Sequence, residues 1–208
     1  CVPFNANTIW NACIRSASWV GARAALGRAG VVLDEKEDAS TDDRMVIGLA
    51  WHNLGRACAR ADQESERALD AFDRALALVS DLRLQGVILH DAGAVRRDHD
   101  EDAEAVELFR RAAECKRAAE PRDAGLLRDL GTTLHAFGRA LERQGNDLRR
   151  RGKHPEGRAA FEEALAVYRE RLEALESLPT RDQQLEAVTL HDLADVEQAL
   201  GTPDPAST

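Results

Sequence analysis

The chain has 208 residues, 37 acidic and 28 basic, for a formal charge of −9, with 44% hydrophobic and 4% aromatic residues. That apolar share excludes a disordered chain and suffices for one packed domain or a short array of repeats. The acidic balance excludes a general nucleic-acid binder, which needs a basic footprint. The scarcity of aromatics, with Ala, Leu, Arg and Glu dominant, is helical composition. The longest unbroken apolar run, Met45 to Trp51, has seven residues, whereas a membrane span needs about 20. No membrane contact is expected. No basic segment followed by an apolar block marks a secretory signal.

The chain starts at Cys1 rather than Met, which reads as a fragment, a processed product or an excised domain. A bacterial lipoprotein also starts at an acylated Cys, but Val2-Pro3-Phe4 is not the polar tether expected after one. Cys1, Cys13, Cys58 and Cys115 form no C-x-x-C pair and read as neither a zinc site nor a disulfide framework. Cys13, Cys58 and Cys115 fall on helical patterns and read as small buried hydrophobes. A reducing cytoplasm is the expected compartment.

Apolar residues recur with helical period almost throughout. A first helix is predicted over 8–28, inside an N-terminal segment 1–33 that reads as the end of a preceding repeat or domain. Residues 34–43 (DEKEDASTDD) read as a solvated acidic linker. A repeat domain over 44–200 follows, with helices near 42–61, 64–80, 83–98, 101–119, 123–151, 155–177 and 181–200. Asp62, Asp100 and Thr180 are candidate N-caps, and Pro155 suits a first helical turn. The tail 201–208 (GTPDPAST) is expected to be disordered.

One eight-residue word recurs four times: GLAWHNLG from Gly48, GVILHDAG from Gly86, GTTLHAFG from Gly131 and AVTLHDLA from Ala187. Its pattern is small–x–x–[Trp/Leu]–His–x–apolar–small. A second word follows three copies: Ala68-x-x-x-Phe72-x-x-Ala75, Ala105-x-x-x-Phe109-x-x-Ala112 and Gly157-x-x-x-Phe161-x-x-Ala164. Small residues seven apart share a helix face and let a neighbouring helix approach closely. The small–Phe–Ala stripe at i, i+4 and i+7 packs back on the first helix. Stacking one such pair on the next buries the apolar side each leaves open.

On these words the sequence resembles the tetratricopeptide repeat (TPR) family, over about Asp42 to Leu200. Trp51-His52-Asn53-Leu54-Gly55 matches its helix A, and Asp91-Ala92-Gly93 followed by Ala105, Phe109 and Ala112 matches its spacing. The resemblance implies an all-α fold, a TPR-like superhelical array of antiparallel helix pairs, that is, an α-solenoid. The small residues 55, 93, 138 and 194 are 38, 45 and 56 apart rather than evenly spaced. Gly145, Gly157, Phe161 and Ala164 fit the family spacing better than Gly138 does, so the third helix A is expected to be about two turns longer and to carry both glycines. Where the family places an aromatic three residues after the Gly, this chain has Cys58, Arg96 and Glu197, sites expected to be less buried. The fourth word is not followed by a second helix, so helix 181–200 reads as a terminal cap or as a cut array.

The resemblance further implies that helix A faces a concave binding groove. Carried over, the groove shows His52, His90, His135 and His191, with Arg56, Arg60, Arg97, Arg139 and Arg143 opposing Asp98, Glu142 and Asp195. This locally basic strip would take an acidic peptide or a C-terminal carboxylate, which the planar guanidinium fork suits. A packing role competes with the binding one, because a His repeated beside the Trp/Leu knob can hydrogen-bond the adjacent helix in every copy. Four His along an arc of helices roughly 8–10 Å apart cannot converge on one zinc, so neither metal nor cofactor is expected. The doublets His90-Asp91 and His191-Asp192 imitate helical metal-dependent phosphohydrolases, but His52-Asn53 and His135-Ala136 show the His recurring without the Asp. The basic run Arg149-Arg150-Arg151-Gly152-Lys153-His154 reads as a solvated helix end. The expected role is a non-catalytic module for a protein or peptide partner, part of a larger regulatory or scaffold protein.

Overall fold

The computed structural model describes residues 40–60 and 64–201, with Gly21, Ala24 and Arg28 as isolated helical positions. The rest of the predicted helix 8–28, most of the acidic segment, Asp62, Cys1, Cys13 and the tail beyond 201 lie outside the described residues. Among the described residues the helical period becomes seven α-helices and no strand: α1 (Thr41–Ala59), α2 (Ser65–Leu78), α3 (Leu82–Asp98), α4 (Asp102–Ala118), α5 (Ala124–Arg150), α6 (His154–Glu176) and α7 (Gln183–Gly201). Among the described residues the fold class is all-α. Two compact units divide the chain, Cys1–Ile88 and Leu89–Thr208, and the boundary falls inside α3.

In the first unit, Ser40 caps α1, its Oγ accepting from the Asp43 N–H at 3.1 Å. Asp42 and Asp43 sit in the first turn, where the helix dipole favours carboxylates. The last three residues of the acidic segment are therefore helical. A Cβ on Gly48 would stand 2.5 Å from Val79 Cγ2, and one on Gly55 2.6 Å from Phe72 Cε1. The start of α1 thus meets the end of α2, an antiparallel pair whose spacing only small residues allow. Trp51, Ala68, Phe72 and Ala75 are buried in it, and the Arg74 guanidinium lies 5.1 Å over the Trp51 ring. Cys58 is also buried, as its reading as a small hydrophobe expects, although the missing aromatic at this place in the repeat suggested a less buried site. Its short thiol tucks against Glu64 at the entrance to α2, and burial with that contact pushes its pKa up to about 11. At neutral pH it is an inert thiol. Cys115 is only partly buried.

In the second unit α4, α5, α6 and α7 pack successively, each antiparallel to the last. Phe109, Leu134, Phe137, Leu141, Phe161 and Tyr168 form the centre of the core. The lengthened helix is present: α5 has 27 residues, with Gly138 against the Tyr168 ring and Gly145 against Phe161. Pro155 occupies the first turn of α6. On the other side, Arg110 and Arg117 of α4 reach Glu163 and Glu170 of α6 at 2.9 and 2.6 Å, two bridges one heptad apart.

Two predicted caps are replaced. Asp100 has φ 61 and makes the left-handed turn between α3 and α4, which a short polar side chain tolerates. Glu101 takes the N-cap position without a side-chain capping bond, its carboxylate accepting from Arg96 instead. At α7 the capping carboxylate is Asp182, accepting from Gln184 N and Leu185 N at 3.1 Å, rather than Thr180.

Candidate functional site

Three of the four recurring histidines share one local environment. His52, His90 and His135 lean on the aromatic knob of the following B-type helix, with ring centroids 5.8 Å from Phe72, 5.4 Å from Phe109 and 6.5 Å from Tyr168. His52 is 4% exposed, so its imidazole is a packing group and cannot line an open groove as it stands. His90 is turned inward as well. Its Nδ1 lies 3.2 Å from Thr133 Oγ1, on the next A-type helix. The hydroxyl also accepts from the buried Lys116 ammonium at 2.7 Å and donates to Asp129 O at 3.1 Å. With its one proton so used, the hydroxyl accepts from Nδ1–H, which sets the His90 tautomer. Burial, then the Lys116 charge, lowers the His90 pKa to about 4.

His135 reaches one helix further along. Its Nε2 lies 3.3 Å from Asp192 Oδ2. Asp192 is buried and also stands 3.4 Å from Arg171 Nη1 and 3.7 Å from Arg139 Nη1. Beside this group the Tyr168 hydroxyl donates to Glu142. Burial and the Glu142 contact push the tyrosine pKa up, and burial pushes the Glu142 carboxyl up against that hydrogen bond. Burial, then the Arg171 charge, lowers the His135 pKa, with Asp192 opposing. Burial also lowers the Arg171 guanidinium, and its Nε has no acceptor. The outer members stay accessible: the Arg139 side chain is 56% exposed and that of His135 39%.

Other anticipated residues stand apart from this cluster. Arg56 and Arg60 are exposed near the end of α1, in the first unit. Arg97 donates to Asp98 at 2.8 Å. Arg143 pairs with Asp100 and, at 3.0 Å, with Asp102, so its charge is compensated locally. It lines a cleft with Asp147, Arg149, Arg150 and Arg151. His191 is exposed on α7, 3.7 Å from Asp195. In the second unit each anticipated arginine therefore faces a carboxylate, and the strip is less basic than residue counting suggests.

Arg171, Tyr168 and Lys116 were not singled out by the sequence. Tyr168 had a signal: it follows Phe161 by seven residues and faces Gly138. Asp192 stood only as the partner of a His-Asp doublet, and its actual histidine is His135. Among the described residues no group of three or more His, Cys, Asp or Glu could hold a metal ion, so the phosphohydrolase alternative finds no donor set. No helix among them is long and apolar enough to cross a membrane.

No family model matches the chain, and no curated protein matches it. Among solved structures it is similar to two of MamA. One is 14% identical with a TM-score of 0.29, covering 84% of this chain and 85% of that one. The other is 12% identical with a TM-score of 0.34, covering 93% and 90%. The likeness is loose, and the helix pairs themselves carry the fold.

Proposed function

We propose that the chain is a non-catalytic interaction module that binds an acidic segment of a partner protein on the exposed faces of its A-type helices. In the second unit the binding groups are His135 and Arg139, with Arg97, Arg143 and His191 flanking. In the first unit they are Arg56 and Arg60. His52 in the first unit and His90 in the second are packing residues, each within its own unit.

The supporting observation is the arrangement around Asp192. One buried carboxylate, itself paired with a buried Arg171, holds an accessible His and an accessible Arg one turn apart on α5. At 3.7 Å the Arg139 pair is too long for a hydrogen bond, so its N–H donors can serve a carboxylate on a partner. Donors fixed from behind lose less freedom on binding than mobile surface side chains.

The test is fluorescence anisotropy with two peptide panels of equal length, one rich in Asp and Glu and one rich in Lys. Acidic peptides should bind, and charge reversal in the Arg56→Glu/Arg139→Glu variant should weaken them by about tenfold or more, or ~1.4 kcal/mol. Equal binding of both panels, or no change in the variant, would remove the acidic-segment reading.

A further inference from the structure

The fourth copy of the first word differs from the others in exposure. Trp51, Leu89 and Leu134 are each at most 2% exposed, whereas their counterpart Leu190 is 54% exposed. The small residues flanking it, Ala187 and Ala194, are exposed too, whereas Gly48, Gly55, Gly131 and Gly138 are buried. The face that receives a Phe or Tyr knob in the preceding pairs is open on α7, while the opposite face, with Thr189, Asp192 and Val196, is packed. The helix is also of one charge sign, holding Glu186, Asp192, Asp195 and Glu197 and no Lys or Arg. Asp195 and Glu197 flank the open face, with side chains 49% and 61% exposed.

The chain itself contains the complement of such a face. Residues 1–33 hold Arg15, Arg23 and Arg28 and no Asp or Glu. They also hold a variant of the second word, Ala6-x-x-x-Trp10-x-x-Cys13, with Trp in place of Phe. We infer that the Leu190 face of α7 docks the N-terminal segment 6–28 of a second copy, with Trp10 as the knob between Ala187 and Ala194 and the arginines against Asp195 and Glu197. The two surfaces differ, so the contact is heterologous: each copy offers one of each, and association extends head to tail unless it closes into a ring.

Sedimentation analysis of the 208-residue chain from low to high micromolar concentration tests this. Mass should rise with concentration. Leu190→Arg, or Ala194→Glu as a second change on the same face, should weaken association by about tenfold or more, as should Arg15→Glu/Arg23→Glu at the other end. Circular dichroism checks that the variants stay helical. The Leu190→Arg chain keeps a working N-terminal segment, and the Arg15→Glu/Arg23→Glu chain keeps a working α7. Mixed, they should form a one-to-one complex and nothing larger. A wild-type chain that stays monomeric throughout, or a mixture whose components stay apart, overturns the inference. So does a dimer indifferent to both changes.

Discussion

Arg171 and Asp192 form an ion pair with both side chains withdrawn from water, Nη1 lying 3.4 Å from Oδ2 at 4% and 5% exposure. Such a pair adds little net stability, because each charge has given up its hydration. Removing one partner strands the other and costs about 3–5 kcal/mol. Asp192→Ala should therefore destabilise the fold by that order. The double variant Arg171→Met/Asp192→Leu should recover most of the loss. The same Asp192→Ala change should lower the His135 pKa further, because it deletes the carboxylate that opposes the Arg171 charge. Urea unfolding of the three chains and a proton NMR titration of His135 check both statements. Equal losses in the single and double variants would mean that the ion pair is not the source of the cost.

Residues fixed by local period were legible in the sequence, and residues fixed by distant partners were not. Phe72, Phe109 and Phe161 were placed by their spacing from small residues, and all three are core. The long α5 followed from the double register of Gly138 and Gly145. The role of Asp192 was not legible, because it and its partners are spread over three successive helices and no period connects Arg139, Arg171 and Asp192. The basic strip was overestimated for a related reason. Arg143 meets Asp100 and Asp102 only because the turn after α3 returns the chain to it. Caps failed where two candidates stood close together. Thr180 lost to Asp182, whose carboxylate reaches two amides at once.

His90 makes stability depend on pH in a definite window. In the unfolded chain it protonates near its ordinary 6.5, and in the folded protein only near 4. Between those values the unfolded state holds a proton that the native state refuses. The contribution is complete above about 6.5 and is lost as pH falls toward 4, an effect of roughly 3 kcal/mol from the shift alone. His90→Asn keeps a donor for Thr133 and should flatten this part of the profile. Lys116→Met removes the second cause of the depression and should move the His90 midpoint upward. Urea midpoints at pH 7 and at about pH 5, with an NMR titration, decide it. An unchanged His90→Asn profile would assign the acid sensitivity elsewhere.

The two glycines of the third word should respond oppositely to a methyl group, although the repeat pattern treats them alike. Both are buried in α5, where Gly costs roughly 0.5–1 kcal/mol relative to Ala. A Cβ on Gly131 would have Leu175 Cδ2 as its nearest neighbour at 3.8 Å, ordinary contact. Gly131→Ala should therefore stabilise by that amount. A Cβ on Gly138 would stand 2.5 Å from Cζ and 3.0 Å from Cδ1 of Tyr168. That ring is fully buried and held by its hydroxyl bond to Glu142, so it has little room to retreat. Overpacking of this kind costs about 1–3 kcal/mol, enough to exceed the helix-propensity gain. Gly138→Ala should lower the urea midpoint and Gly131→Ala should raise it, with unchanged slopes. If Gly138→Ala/Tyr168→Leu, which shortens the obstructing side chain, remains as unstable as Gly138→Ala, the clash with the ring is not the cause.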